Sequence, residues 1–161
     1  MPPEVVDLLG AALVAELTVI APSGRPISYP LIPLYDGQDV LFTSAVLFSK
    51  KLEHIQANPN VSVSLSDPVA MAGVPFHRAV IQGTARVLSE EDPHTSWERL
   101  MPMWRKKEPV IDVFAKRRFG IPLFFERHTI EVRPHRVLLW RDGDTSRPPQ
   151  VTQLAAPVGA N

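Results

Sequence analysis

The sequence alternates short apolar segments with tight-turn signals, and this pattern restricts the chain to antiparallel β architectures. Val61-Ser62-Val63-Ser64-Leu65 has an apolar residue at every second position, as expected for a strand with one buried face. Ser23-Gly24-Arg25 and Asp36-Gly37 are turn sequences that separate three neighbouring strand segments. Because a doubly wound parallel sheet requires strict strand–helix alternation, the pattern favours a mainly β, antiparallel barrel or sandwich with flanking helices.

The same signals divide the chain into predicted elements. Helices are expected over residues 2–15, 47–58, 89–107 and 109–119. Strands are expected over residues 16–21, 26–35, 40–44, 61–65, 77–88, 123–133 and 136–140. The second strand contains Pro26, Pro30 and Pro33, each of which removes a ladder donor, so it should be partly unpaired or bulged. Residues 1–141 are thus expected to form one domain, and the Pro-, Gly- and Ala-rich residues 142–161 a disordered tail.

Composition excludes several classes of function. The 161 residues carry 17 basic and 17 acidic side chains, and this zero net charge argues against nucleic acid or an anionic membrane as partner. The chain has no cysteine, which rules out disulfides and cysteine-based chemistry. Its five histidines lack metal-ligand spacing, so no metal site is expected. The first 16 residues lack a basic segment before an apolar run, and we therefore expect a cytoplasmic protein.

The best clue to function is a group of hydroxyls and ammonium charges after the third predicted strand. Thr43 and Ser44 end that strand, and Ser49, Lys50 and Lys51 begin the next helix. Hydroxyls, unpaired backbone N–H groups and ammonium charges at a helix N-terminus form a phosphate site. Alternatively, Ser49 is only a helix cap and the lysines form a solvated face. Paired lysines in a first turn are mildly unfavourable without an anion, but the residues alone leave both interpretations open.

A series of short motifs between Leu17 and Val87 resembles the pyridoxamine 5'-phosphate oxidase-like superfamily of flavin-binding split barrels. The motifs are Gly24-Arg25-Pro26, Asp36-Gly37, Leu41-Phe42-Thr43-Ser44, Ser49-Lys50-Lys51, Asn58-Pro59-Asn60-Val61-Ser62-Val63 and Ile81-Gln82-Gly83-Thr84-Ala85. The resemblance implies an antiparallel split β-barrel that forms a homodimer and binds FMN at the dimer interface. It further implies an oxidoreductase that transfers hydride to or from a small organic substrate, with the cofactor carrying the redox chemistry.

The resemblance also assigns roles to individual residues, although it names no catalytic residue. Hydroxyls and lysines after the third strand would hold the cofactor phosphate, and the backbone of the second strand would contact the isoalloxazine ring. A polar contact would come from the start of the fifth strand, and Trp140 or Arg141 would reach the partner subunit's cofactor. The predicted cofactor-binding residues are Pro30, Leu31, Ile32, Thr43, Ser44, Ser49, Lys50, Lys51, Arg78 and Trp140.

This chain departs from the family pattern in two ways, and the first concerns pyridoxamine phosphate oxidases proper. Those enzymes end in an arginine- and proline-containing motif that helps to bind pyridoxal phosphate, whereas residues 155–161 here contain nothing comparable. Oxidation of vitamin B6 is therefore not expected. Residues 97–119 are an additional segment that small flavin-binding members often lack, and this segment would cover the cofactor or line the substrate pocket.

Three alternatives to an FMN-dependent oxidoreductase stay open. The first is an F420-dependent reductase, in which Arg105-Lys106-Lys107 and Lys116-Arg117-Arg118 line a positive cleft for the anionic tail of that cofactor. A purely structural explanation for both basic clusters is that they compensate the dipoles of helix C-termini. The second alternative is a non-catalytic flavin- or haem-binding module, and the third is an interaction domain without a cofactor.

Overall fold

The computed structural model describes residues 1–45, 49–66, 74–88, 97–115 and 127–155, and these ranges contain four α-helices and eight strands. The helices are α1 (Pro3–Ala11), α2 (Lys50–Ala57), α3 (Trp97–Lys107) and α4 (Ile111–Ala115). The strands are β1 (Ala15–Ile20), β2 (Pro26–Leu31), β3 (Leu34–Tyr35), β4 (Val40–Ala45), β5 (Asn60–Leu65), β6 (Arg78–Leu88), β7 (Arg127–Trp140) and β8 (Gln150–Gln153). None of the helices in these ranges has the length and apolar character needed to cross a membrane.

All eight strands belong to one antiparallel sheet. Their order is β2-β1-β5-β6-β7-β4-β3, and β8 pairs with the C-terminal half of β7. The strands β2 and β3 lie at opposite ends of this order, yet only residues 32 and 33 separate them in the chain. The sheet must therefore curl back on itself, and the predicted mainly β, antiparallel split barrel with flanking helices is confirmed.

Two apolar cores lie on opposite faces of this curled sheet. The main core collects inward side chains of the sheet, such as Leu17, Val63 and Ile81, together with side chains of α1 and α2. Burying each aliphatic side chain of this kind contributes about 1.5–3 kcal/mol. The second core lies between β3, β4, α3 and α4 and consists of Leu34, Leu41, Leu100, Trp104 and Ile111. The strand β4 thus contributes to both cores, one on each of its faces.

Several predicted boundaries need correction. The expected strand over residues 26–35 is divided into β2 and β3, with Pro33 between them, because proline cannot donate to the ladder. The two expected closing strands form the single strand β7. A register shift opposite Gln82 and Gly83 accommodates Pro134 within that strand. Gly83 is required there, since a Cβ atom at this position would lie 2.4 Å from the carbonyl oxygen of Arg133.

The expectation of a disordered tail is wrong for part of residues 142–161. Residues 150–153 form β8, which pairs with the edge of β7 from Arg136 to Leu139. Residues 156–161 lie outside the described residues. The same holds for the predicted helix positions 47–48, 89–96 and 116–119, for the strand positions 123–126, and for the basic cluster Lys116-Arg117-Arg118.

Candidate functional site

The strand β4 ends at the candidate site, where Thr43 and Ser44 point to opposite faces of the sheet. Side chains alternate along a strand, and Val40 and Phe42 belong to the main core whereas Leu41 belongs to the second core. Ser44 therefore shares the face of the main core, and Thr43 shares the face of the second core. The two hydroxyls therefore have different partners within the chain, because adjacent strand residues face opposite sides.

Ser44 lies in a compact polar group with Ser49 and Lys51, which we call the inner cluster. The two serine Oγ atoms are 2.8 Å apart. Lys51 Nζ donates to Ser44 Oγ at 3.0 Å and to Ser49 Oγ at 3.2 Å. Ser49 is the N-cap residue of α2, yet its side chain makes no capping hydrogen bond. Its hydroxyl is instead directed to the inner cluster, so the serine does more than begin a helix.

Lys51 is the cation of the inner cluster, and its charge is poorly compensated. Burial lowers the pKa of Lys51, and repulsion by the Arg127 guanidinium lowers it further. Among the described residues, Lys51 makes no ion pair with a carboxylate. Its Nζ atom lies 5.0 Å from the centre of the Tyr29 ring. Lys50, the other predicted phosphate ligand, is exposed and stands apart from these contacts.

Thr43 lies in a second group with Arg127 and Trp104, which we call the outer cluster. Arg127 Nε donates to Thr43 Oγ1 at 3.1 Å, and Nη2 donates to the Thr43 carbonyl oxygen at 3.3 Å. The guanidinium carbon lies 5.7 Å from the centre of the Trp104 ring. Burial lowers the pKa of Arg127 as well. Trp104 belongs to α3, and the additional segment that begins at residue 97 therefore reaches the site.

The second strand approaches the inner cluster through Tyr29. The Tyr29 ring lies beside Lys51, and the predicted residues Pro30, Leu31 and Ile32 follow it directly. Leu31 packs against the main core and Ile32 against the second core. The segment that joins β2 to β3 therefore packs against both cores, which meet at β4.

Arg78 and Trp140 lie far from both clusters within one chain. They are register partners at one end of the β6–β7 ladder, whereas Leu88 pairs with Thr129 at the other end, next to the clusters. The ten residue-to-residue steps from Arg78 to Leu88 span about 33 Å. Arg78 Nη1 donates to the Gly143 carbonyl at 2.7 Å. The structure therefore does not bring Arg78 or Trp140 to the inner or the outer cluster of the same chain.

Trp140 has its own surroundings at that distant end of the sheet. Its Nε1 atom donates to the Arg147 carbonyl oxygen at 3.1 Å. Together with Arg141, Asp144 and Pro148 it lines a cavity of about 360 Å³. Trp140 is therefore a wall of an open cavity and is not part of the core.

His128 and Arg127 are residues of this site that the sequence analysis missed. His128 lies directly opposite Ser44 in the β4–β7 ladder, so both side chains face the same side. Its Nδ1 atom is buried and has no hydrogen-bond partner in the described part of the chain. Neither residue belongs to a local motif, because the register between β4 and β7 brings them to the site across more than 80 residues of sequence.

Comparison with known proteins places this fold in a family. The model of the family described as pyridoxamine 5'-phosphate oxidase matches residues 1–141. The chain belongs to the pyridoxamine 5'-phosphate oxidase family. This confirms the family resemblance found in the sequence. No curated protein sequence matches the chain.

Solved structures with this family fold include proteins with different names. An F420 reductase is 22% identical, covers 81% of this chain and 92% of its own, and has a TM-score of 0.56. A haem storage protein from Vibrio cholerae is 13% identical, covers 87% and 93%, and has a TM-score of 0.61. General stress protein 26 from Bacillus anthracis is 15% identical, covers 94% and 96%, and has a TM-score of 0.59. At these identities the likeness concerns the fold alone.

Proposed function

We propose that this family member is an FMN-dependent oxidoreductase whose inner cluster binds the cofactor phosphate. The observation that carries the proposal is Lys51, a half-buried ammonium held by two serine hydroxyls without a carboxylate partner among the described residues. A buried charge is costly without compensation, and an anionic ligand supplies it. The lowered pKa of Lys51 also supports the proposal, because a bound phosphate would stabilise the ammonium and raise this pKa.

The donors of the inner cluster suit a phosphate group. An ammonium has three N–H donors, and Lys51 uses two of them on Ser44 and Ser49. The Ser49 hydroxyl lies at the N-cap of α2 beside the ammonium and donates outward when Ser44 Oγ is the donor between the two serines. The first backbone N–H groups of α2 add further donors, since Ser49 does not cap them with its side chain. Phosphate oxygens accept hydrogen bonds from all three kinds of donor.

The other parts of the site would bind and orient the ring system. The backbone of Pro30, Leu31 and Ile32 would contact the isoalloxazine, which the position of Tyr29 beside Lys51 supports. Lys51 and the two serines fix the phosphate end, and the neighbouring apolar cores limit access of water from two sides. FMN, when bound, supplies hydride transfer to or from a small organic substrate.

We further propose that the protein is a homodimer with a cofactor site at the subunit interface. This proposal is supported by the distance along β6. Arg78 begins that strand, and Leu88, about 33 Å away at its other end, lies near the inner cluster. If Arg78 and Trp140 contact a cofactor, that cofactor is bound to the partner subunit. Light scattering at micromolar concentration measures the molecular mass, and a monomeric mass would refute this arrangement.

An F420-dependent reductase is the second candidate, favoured by the similarity to an F420 reductase. Of the three described basic residues proposed for its anionic tail, however, two are engaged in other contacts. Arg105 Nε donates to Asp112 Oδ1 at 2.6 Å, and Lys107 Nζ donates to the carbonyl oxygen of Ala12 at 2.8 Å. Within the cluster Arg105-Lys106-Lys107, Lys106 is then the residue left to contact the anionic tail of F420. FMN is therefore the better match to the described residues.

Titration of the purified protein tests these alternatives directly. Visible spectra are recorded during addition of FMN, riboflavin, F420 and haemin. We expect FMN to bind about tenfold or more tightly than riboflavin, because only FMN carries the phosphate. Equal affinity for FMN and riboflavin would refute the phosphate site. Tighter binding of F420 or haemin than of FMN would favour the corresponding alternative, and binding without turnover of electron donors would indicate a non-catalytic module.

A further inference from the structure

The outer cluster presents a guanidinium whose hydrogen-bonding capacity is only partly used. Arg127 has five N–H donors, and two of them bind Thr43. The remaining three lie on its terminal nitrogens. No carboxylate among the described residues pairs with Arg127, although burial has already removed part of its hydration. The arginine is held rigidly by Thr43 on one side, which fixes the direction in which the other side can bind.

An aromatic ring packs beside the Arg127 guanidinium. The Trp104 indole lies 5.7 Å from the guanidinium and is 7% exposed. It belongs to the second core, against which Ile32 and Met101 pack as partly buried side chains. A planar cation beside an indole, at the border of an apolar core, complements a ligand that has a planar anion at one end and an apolar body.

We propose that the outer cluster is a second binding site, which holds the carboxylate of a planar, apolar organic acid, and that this acid is the substrate. The proposal rests on the proposed function for the assignment of the ligand as a substrate. A carboxylate is planar and matches the two parallel N–H groups of a guanidinium edge. Arg127 meets this requirement because its Nε side is bound to Thr43 while the terminal edge keeps donors available.

The position of β4 allows both ligands to bind together. Ser44 and Thr43 face opposite sides of that strand, so the inner cluster and the outer cluster do not compete for the same space. Arg127 nevertheless lies near enough to Lys51 to lower its pKa by repulsion. An anionic substrate at Arg127 relieves this repulsion. The two sites are therefore close neighbours with separate hydrogen-bond donors.

Calorimetric titration of the purified protein with trans-cinnamate and its uncharged amide tests the proposal. The variants are Arg127→Met, which removes the cation, and Arg127→Lys, which keeps the charge but loses the paired N–H groups. Arg25→Met is the matched control, since Arg25 is an exposed arginine in the turn between β1 and β2. Melting temperatures of all variants show whether each one is folded.

We expect the unchanged protein and the Arg25→Met control to bind cinnamate about tenfold more tightly than the amide. Arg127→Met should bind acid and amide equally, and Arg127→Lys should retain only part of the preference. FMN affinity of Arg127→Met should stay within about threefold of the unchanged protein, because phosphate binds on the opposite face.

Three results would overturn the proposal. They are equal binding of acid and amide by the unchanged protein, a preference for the acid that survives in Arg127→Met, and a large loss of FMN affinity in that variant. The last result would place Arg127 at the phosphate. Acid binding that depends on Arg127 in a protein unable to bind FMN would instead refute the proposed cofactor and leave the carboxylate site intact.

Discussion

Replacing Lys51 by methionine tests the phosphate site most directly, because the two adjacent lysines provide their own control. Methionine keeps most of the aliphatic stem and removes the ammonium group. Lys51 Nζ contacts Ser44 and Ser49 inside the inner cluster, whereas Lys50 is exposed. Lys50→Met changes the net charge of the protein by the same amount. A difference between the two variants therefore reports the position of the charge and not its sign alone.

The expected magnitude follows from the burial of Lys51. A hydrogen bond to a charged group contributes about 1.5–3 kcal/mol, which corresponds to a loss of about 10- to 150-fold in FMN affinity for Lys51→Met. An exposed charge contributes about 0–1 kcal/mol, so Lys50→Met should lose at most about fivefold. Riboflavin lacks the phosphate, and its affinity should be nearly the same in both variants and in the unchanged protein.

Stability measurements separate this effect from general damage to the fold. Lys51 is desolvated and repelled by Arg127, as the lowered pKa of Lys51 indicates. After its removal, Ser44 and Ser49 can still bond to each other at 2.8 Å. The free energy of unfolding of the ligand-free Lys51→Met variant should therefore change by less than about 1 kcal/mol. We would abandon the phosphate assignment if flavin fluorescence titrations showed equal losses for both lysine variants, or parallel losses of FMN and riboflavin affinity.

Three further predictions concern stability. Gly83→Ala should lower the free energy of unfolding in urea by about 1–3 kcal/mol or more, because its Cβ would lie 2.4 Å from the Arg133 carbonyl oxygen; an unchanged midpoint would contradict this packing. Burial lowers the pKa of Lys107 to about 8, so the unfolded chain binds more protons between that pH and 10.5. Stability should rise across this range by up to about 3 kcal/mol, and Lys107→Met should lack that rise in urea titrations at several pH values. Asp39→Asn should cost about 2 kcal/mol in thermal unfolding, since it weakens a buried carboxylate that accepts two hydrogen bonds from Arg133, and an unaltered melting temperature would argue against this pair.

The part of the site that the sequence predicts is the part built from neighbouring residues. Ser44, Ser49 and Lys51 lie within eight positions of one another, at the end of one strand and the start of the following helix. A strand end and a helix start can be read from alternation and helical periodicity, and their side chains meet whatever the rest of the chain does. The sequence accordingly predicts that Ser44, Ser49 and Lys51 lie close together, and their side chains are in contact in the structure, whereas Thr43 and Lys50 lie outside the inner cluster.

The remaining part depends on pairing between distant segments, which periodicity does not encode. Arg127 and His128 reach the site only through the register that pairs Thr43 with Thr129 and Ser44 with His128. A shift of one residue in that register would exchange the faces on which all these side chains lie. The prediction of disorder for residues 150–153 is wrong for a similar reason. Their local sequence gives only a weak indication of a strand, but they form one because they pair with the edge of β7.

The division of the site along β4 also explains why family membership leaves the reaction undefined. The inner cluster comes from a short local motif, so it can be retained while the rest of the chain diverges. The outer cluster requires Arg127 from β7 and Trp104 from α3, two segments that are remote from β4 in sequence. Changes in those segments alter the outer face of β4 without disturbing Ser44, Ser49 or Lys51. Substitutions in β7 or α3 should therefore change the proposed carboxylate site and leave the proposed phosphate site intact.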